Sequence, residues 1–287
     1  MKNLVAKPTG AHSFELGEGP VWNPLSKQLS TVDIFQRRVH LFDLEDSTPV
    51  HRSSFETEGD VGAALPLLAG EFVLCENDKI VIRHPDGTRE KLTDVPLQGK
   101  NLRSNDAKIG PDGALWVGVM DYDAVEGAGS LWRVSRSGDC QKLLSNLTIP
   151  NGLDWWEKEF WFVDGPTEEI RCYQFSDAGL EETDRRFTTN GTPDGLAFDS
   201  SGDLWLALWG QGRVDHFNQN GEVVESVEVA SPHSTSLCFA GEDLNTLVCT
   251  SALFAMDEVT ISQYPSCGDI FSVPVAVSGR PANLLLL

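Results

Sequence analysis

Six times along the chain a short polar, glycine-containing opening launches an apolar run. Four copies are strong: Gly17-Glu18-Gly19-Pro20-Val21-Trp22, Asn105-Asp106-Ala107-Lys108-Ile109, Asn151-Gly152-Leu153-Asp154-Trp155 and Asp194-Gly195-Leu196-Ala197-Phe198. Two weaker copies begin at Val61 and Thr235. From Glu18 through Val61, Asn105, Asn151 and Asp194 to Thr235 the intervals are 43, 44, 46, 43 and 41 residues. A fixed period in this range marks stacked units or propeller blades. Within a unit, runs of about five to seven residues rich in Val, Trp, Phe and Leu alternate with Gly/Pro/Asp/Asn turns, the pattern of short antiparallel strands. The third unit reads as strands at 105–110, 114–120, 129–135 and 141–147, and the fifth at 195–199, 204–209, 213–218 and 223–229. Four strands per unit and six units predict an all-β fold, a six-bladed β-propeller of four antiparallel strands per blade, with residues 1–287 as a single domain. No stretch carries helical periodicity with caps.

The sixth unit lacks an outer strand. A terminal strand must complete it and close the ring, because closure removes exposed sheet edges. Leu4 to Pro8, His12 to Leu16 and Leu284 to Leu287 are the alternatives, and the residues leave them open. The segment from Leu253 to Cys267, between two strands of the last unit, is read as a candidate lid.

A net charge of −21 argues against nucleic acid, whose binding rests on neutralising phosphates with Lys and Arg. The longest apolar stretch, Val61 to Leu74, is interrupted by Pro66, Gly70 and Glu71, so no membrane partner is expected. The N-terminus lacks an apolar core and cleavage site, and the expectation is a soluble cytoplasmic protein, monomeric or weakly homodimeric. Six cysteines form no C-x-x-C pair and are assigned no chemistry. The stretch Asp199-Ser200-Ser201-Gly202-Asp203 looks like a calcium loop but lacks the alternating ligands and closing Glu, and reads as a hairpin turn.

Equivalent positions in a ring of blades lie near one another. Glu18, Asn151 and Asp194 would therefore present two carboxylates and one amide oxygen to one end of a central channel. Two like charges in a narrow channel raise each other's pKa, and a divalent cation removes that cost. An all-oxygen set suits Ca²⁺, Mg²⁺ or Mn²⁺, while Zn²⁺ accepts carboxylates but usually prefers His or Cys. Asp and Asn before Gly are also ordinary turn formers. In the third opening, Arg103 offers a fixed fork of donors for hydroxyl or carboxylate oxygens, or a surface ion pair. Asn105 both donates and accepts. Asp106 pairs with Lys108 or Arg103, or buttresses the metal ligands. Tyr122 and Asp123 fall in a loop that reads as solvated, and His233 as a structural or rim residue.

The openings at Leu16 to Trp22, Arg103 to Asp106, Ile149 to Leu153 and Pro193 to Leu196 resemble those of the SMP-30/gluconolactonase/regucalcin family. Thr235 to Gly241 followed by Val248 to Ala252 is similar to its last blade. The resemblance implies a six-bladed propeller holding one divalent metal ion (Ca, Mn, Mg or Zn) and hydrolysing sugar lactones to aldonic acids. By motif match it puts Glu18, Asn151 and Asp194 at metal-ligand positions, with Asp194 also as general base. Arg103 and Asn105 take substrate-binding positions, and Asp123 stands where the family has a substrate-contacting Glu. The alternatives are a non-enzymatic calcium-binding or regulatory propeller and a metal-dependent esterase or phosphotriesterase.

Overall fold

The computed structural model describes residues 2–10, 13–97, 99, 101–176 and 179–284. Six sheets, each with four antiparallel strands, form the expected six-bladed β-propeller. The innermost strands are Gly17–Asn23, Val61–Pro66, Leu102–Ile109, Pro150–Trp156, Thr192–Phe198 and Ser234–Ala240, one per blade. Each packs on the next, and the last returns to the first, so they enclose a central channel. Six apolar clusters form the core, one at each boundary between neighbouring blades. Phe14, Trp22, Leu29 and Phe42 of the first blade and its approach meet Ala240, Val248 and Ile270 at the closing boundary. Five cysteines lie within strands, Cys140 among them at the start of Cys140–Leu147, and all six are free thiols.

Ring closure comes from the N-terminus, which divides between two blades. Lys7–Pro8 pairs antiparallel with Phe271–Pro274 as the outer strand of blade six. Lys2–Val5 instead pairs parallel with Val223–Glu228, giving blade five a fifth strand. Of the other closure candidates, His12 and Leu285 to Leu287 lie outside the described residues. Leu16 makes one bridge to Ala252, and Leu284 accepts a hydrogen bond from Leu68 N at 3.0 Å. The segment from Leu253 to Cys267 holds a helix the periodicity did not predict, Glu258–Gln263, six residues long and capped by Asp257. It is too short to show a periodic face, so only its cap was there to be read. No helix among the described residues is long and apolar enough to cross a membrane.

The motif that repeats in sequence is a β-bulge. In all six blades the pairing of the first strand with the second slips at the same place: at 18/21, 61/63, 104/107, 150/153, 193/196 and 234/237. An extra residue on one strand re-aims the side chains beside it. The strands accordingly begin up to three residues before the openings read from sequence.

Two of the bulge glycines, Gly152 and Gly195, are required by close approach rather than by turn geometry, whereas Gly19 has a φ of +52° and room beside it. Neither Gly152 nor Gly195 has a positive φ. A Cβ on Gly152 would stand 2.4 Å from the Asp194 carbonyl oxygen, and one on Gly195 would stand 2.1 Å from Ser236 Oγ. Backbone cannot yield as a side chain can, so Gly152→Ala is expected to destabilise the fold by about 1–3 kcal/mol. Urea unfolding checks this, and an unchanged midpoint would contradict the packing described.

Candidate active site

Two aspartates at the ends of second strands fix the entry of the chain into the inner strands. Asp33 accepts hydrogen bonds from Glu15 N (2.8 Å) and Leu16 N (3.2 Å), and Asp164 accepts from Thr148 N (3.0 Å) and Ile149 N (2.7 Å). The bulges that follow carry Glu18 and Asn151, and the equivalent bulge of blade five carries Asp194. All three residues are buried. Burial raises the Glu18 carboxyl from 4.5 to about 8, with the Asp106 charge adding to it. Burial also holds Asp194 well above the usual carboxylate range, with Glu18 and then Asp106 adding to it. Arg103 opposes both shifts without cancelling them. A buried set of two mutually repelling carboxylates and an amide oxygen fits a hard divalent cation, which would lower both pKa values together.

Arg103 and Asn105 join this set through hydrogen bonds. Arg103 Nη1 donates to Asn105 Oδ1 at 2.7 Å, and Asn105 Nδ2 donates to Asn151 Oδ1 at 2.6 Å and to Pro150 O at 3.0 Å. The guanidinium lies over the rings of Phe35 and Tyr122, 5.6 and 5.8 Å from their centroids. Its Nε is buried without a hydrogen-bond partner among the described residues. Tyr122 is thus not a solvated loop residue. Its hydroxyl donates to Asp60 at 2.6 Å and accepts from Asn77 Nδ2 at 3.0 Å, while Arg37 Nε donates to Asp60 at 2.8 Å. Burial and that bond to Asp60 push the phenol up to about 12, so it remains a donor at neutral pH. Asp123 is exposed, and its carboxylate accepts from Asn101 at 3.0 Å. Among the described residues it makes no hydrogen bond to Arg103, Asn105 or the three buried ligand candidates.

Asp106 occupies the bulge position that holds glycine in blades four and five. Burial pushes its carboxyl up to about 6 despite Lys108, and it borders a cavity of about 370 Å³ behind the ligand set. Lys108 pairs with Asp154 (3.3 Å), not with Asp106. Arg280, from the C-terminal tail, reaches the same carboxylate at 3.0 Å. Burial works against the Asp154 charge, yet Lys108 and Arg280 together hold its pKa below the ordinary value. Asn283 Nδ2 donates to Ile109 O, so the tail lies across the far end of the channel. The opposite end, beside Glu18, has an aromatic rim. Phe35 meets Phe254 at 5.1 Å, and His233 stacks on Trp209 at 3.9 Å while its Nδ1 lies 3.0 Å from Phe254 O. Phe254 belongs to the candidate lid and is anchored by its N–H to Glu15 O. His233 therefore lines the rim, and its burial lowers its pKa.

Sequence reasoning missed Phe35, Asp60, Asn77 and Trp209. Asp60 immediately precedes the weak opening at Val61, and the second unit's faint motif was the signal available for it.

The molecule is thus a six-bladed propeller with a buried all-oxygen trio and an arginine–asparagine pair at one mouth. Residues 16–253 match the SMP-30/Gluconolactonase/LRE-like region, and the chain belongs to that family. YvrE of Bacillus subtilis (strain 168) is 32% identical over 273 residues, 92% of each chain. Pentonolactonase XacC of Haloferax volcanii is 30% identical over 283 residues, 94% of each chain. The crystal structure of regucalcin from Agrobacterium tumefaciens, described as a calcium-binding protein, superposes with a TM-score of 0.90. It is 25% identical, and the match covers 100% of this chain and 99% of that one.

Proposed function

We propose that this protein is a divalent-metal-dependent hydrolase that opens sugar-acid lactones, of the gluconolactone or pentonolactone kind, to aldonic acids. The observation that carries the reading is the buried trio Glu18, Asn151 and Asp194, tied through Asn105 to Arg103. The family and the pentonolactonase relative support it. Glu18, Asn151 and Asp194 would hold one ion of Ca²⁺, Mn²⁺, Mg²⁺ or Zn²⁺, which when bound supplies Lewis-acid polarisation of the lactone carbonyl.

The chain's own groups do the rest. Arg103 and Asn105 donate to the ring hydroxyls and fix the carbonyl carbon against the attacking water. Asp194 takes a proton from that water as its oxygen bonds to the carbonyl carbon. The ring C–O bond then breaks, and the departing alkoxide takes up the proton from Asp194. Tyr122 and Phe35 pack their rings against the guanidinium, and Asp123 is a third substrate-facing candidate.

Arg103→Ala is expected to raise KM for an aldonolactone about 10- to 100-fold, the worth of one or two charge-assisted hydrogen bonds, with a smaller change in kcat. Steady-state kinetics read the split, and an unaltered KM would contradict the role.

Two other readings keep the ion. The aromatic rim of Phe35, Phe254 and Trp209 favours a metal-dependent esterase or phosphotriesterase acting on apolar esters. The likeness to a calcium-binding regucalcin favours a regulatory binding role. Tight binding selective for Ca²⁺ without lactone hydrolysis would support that second alternative.

A further inference from the structure

At the far end of blade five, the turn between its first two strands meets the third strand around a buried imidazole. Asp199 is fully buried. Its Oδ1 accepts from Ser201 N (2.8 Å) and Asp203 N (3.1 Å), and its Oδ2 accepts from Trp205 Nε1 (3.1 Å). His216 stacks flat on Trp205, with centroids 4.1 Å apart, which fixes its ring plane. Its side chain is 8% exposed, and among the described residues neither ring nitrogen has a hydrogen-bond partner. His216 Nε2 points at two carboxylates, 3.3 Å from Asp203 Oδ2 and 3.7 Å from Asp199 Oδ2. His216 Nδ1 faces Glu225 at 3.7 Å.

Blade three supplies an internal comparison. Asp112 holds the same turn there and receives Trp116 Nε1. The residue cross-strand from that Trp is Arg133, whose Nε donates to Asp112 at 2.6 Å. In blade five the residue cross-strand from Trp205 is His216, and a second carboxylate, Asp203, has been added. With Glu225, three carboxylates face the imidazole, and a protonated imidazole would balance only one of them. A divalent cation beside a neutral imidazole balances the two at Nε2.

We propose that Asp199, Asp203 and His216 form a second metal site, separate from the channel mouth and independent of the lactonase reading. Ligand atoms held about 2.0–2.2 Å from one ion at near-tetrahedral angles stand about 3.3–3.6 Å apart; the two separations from His216 Nε2 are close to this, and all three ligand atoms lie within 4.8 Å of one another. One imidazole nitrogen with two carboxylate oxygens is a donor set for Zn²⁺. Trp205 and the turn amides orient Asp199, and Glu225 stands at the remaining imidazole nitrogen, the arrangement of outer carboxylates in histidine-ligated zinc sites. Asp203, with its side chain 24% exposed, gives the ion its entry and room for water in the fourth position. The ion would tie the hairpin turn to the third strand.

The test is zinc stoichiometry, by equilibrium dialysis against Zn²⁺ and elemental analysis. Glu18→Gln/Asp194→Asn protein, with the mouth disabled, should retain one Zn²⁺ per chain. Adding Asp203→Ala or His216→Gln should remove it. In the otherwise unaltered protein the same two substitutions should each lower the count by one and leave lactone hydrolysis unchanged. Asp203 lies at a partly exposed turn position, so its variant keeps the test valid where the His216 variant fails to fold. No Zn²⁺ on the mouth-disabled protein, or a count indifferent to both substitutions, would overturn the site.

Discussion

Asp194→Asn should lower kcat for lactone opening by about 10³-fold or more while leaving the propeller folded. A positioned general base contributes about 10²–10⁴-fold, and loss of one carboxylate from the ligand set adds to that. The amide is nearly isosteric, and it removes a buried carboxyl whose ionisation is opposed by burial and by Glu18. The metal-free variant should therefore be at least as stable as the parent. A carboxylate bound to a cation is a weak base, so the reaction depends on the attacking water being held close to it. Single-turnover kinetics with a fast aldonolactone check the prediction. An unchanged kcat would remove Asp194 from the proton-transfer step.

Metal-free protein should lose stability as pH rises from about 4.5 to about 8. Between those values the folded state holds a proton on Glu18 that the unfolded chain has released. Stability therefore falls with rising pH, and its favourable contribution is fully present only below the unfolded pKa. Asp194 shifts in the same direction and deepens the fall. At ~1.4 kcal/mol per unit, the shift of Glu18 alone amounts to several kcal/mol. Glu18→Gln should flatten the slope. A divalent ion should restore stability most at the alkaline end and release protons as it binds. Urea unfolding of EDTA-treated protein at pH 5.5 and 8, with and without Glu18→Gln, measures the effect. Equal pH slopes in parent and variant would contradict it.

The ring was legible because each blade repeats its inner-strand opening at a nearly constant interval. Glu18, Asn151 and Asp194 stood out because they occupy the same place in that repeat, and structurally this place is a bulge. The bulge itself has no composition signal. Gly152 looks like a turn former, and only the neighbouring strand, 2.4 Å from a Cβ placed on it, shows why it is there. Ring closure was half legible. A terminal strand was needed, but two residues at Lys7–Pro8 carry no pattern, and nothing local directs Lys2–Val5 to a different blade. The network behind Arg103 was illegible for a simpler reason. Asp60 and Tyr122 are 62 residues apart and meet only when blades two and three stand side by side. Arg280 and Asp154, 126 residues apart, meet for the same reason, when the tail crosses the channel.

Hydrolysis of a panel of aldonolactones by EDTA-treated protein, before and after addition of Ca²⁺, Mn²⁺, Mg²⁺ or Zn²⁺, tests the central claim most directly. Negligible hydrolysis in the stripped protein, restored by more than one of these ions and lost in Asp194→Asn, is the predicted result. Lactone opening at full rate without any ion, or no opening of any lactone by protein shown to bind metal at the mouth, would contradict it.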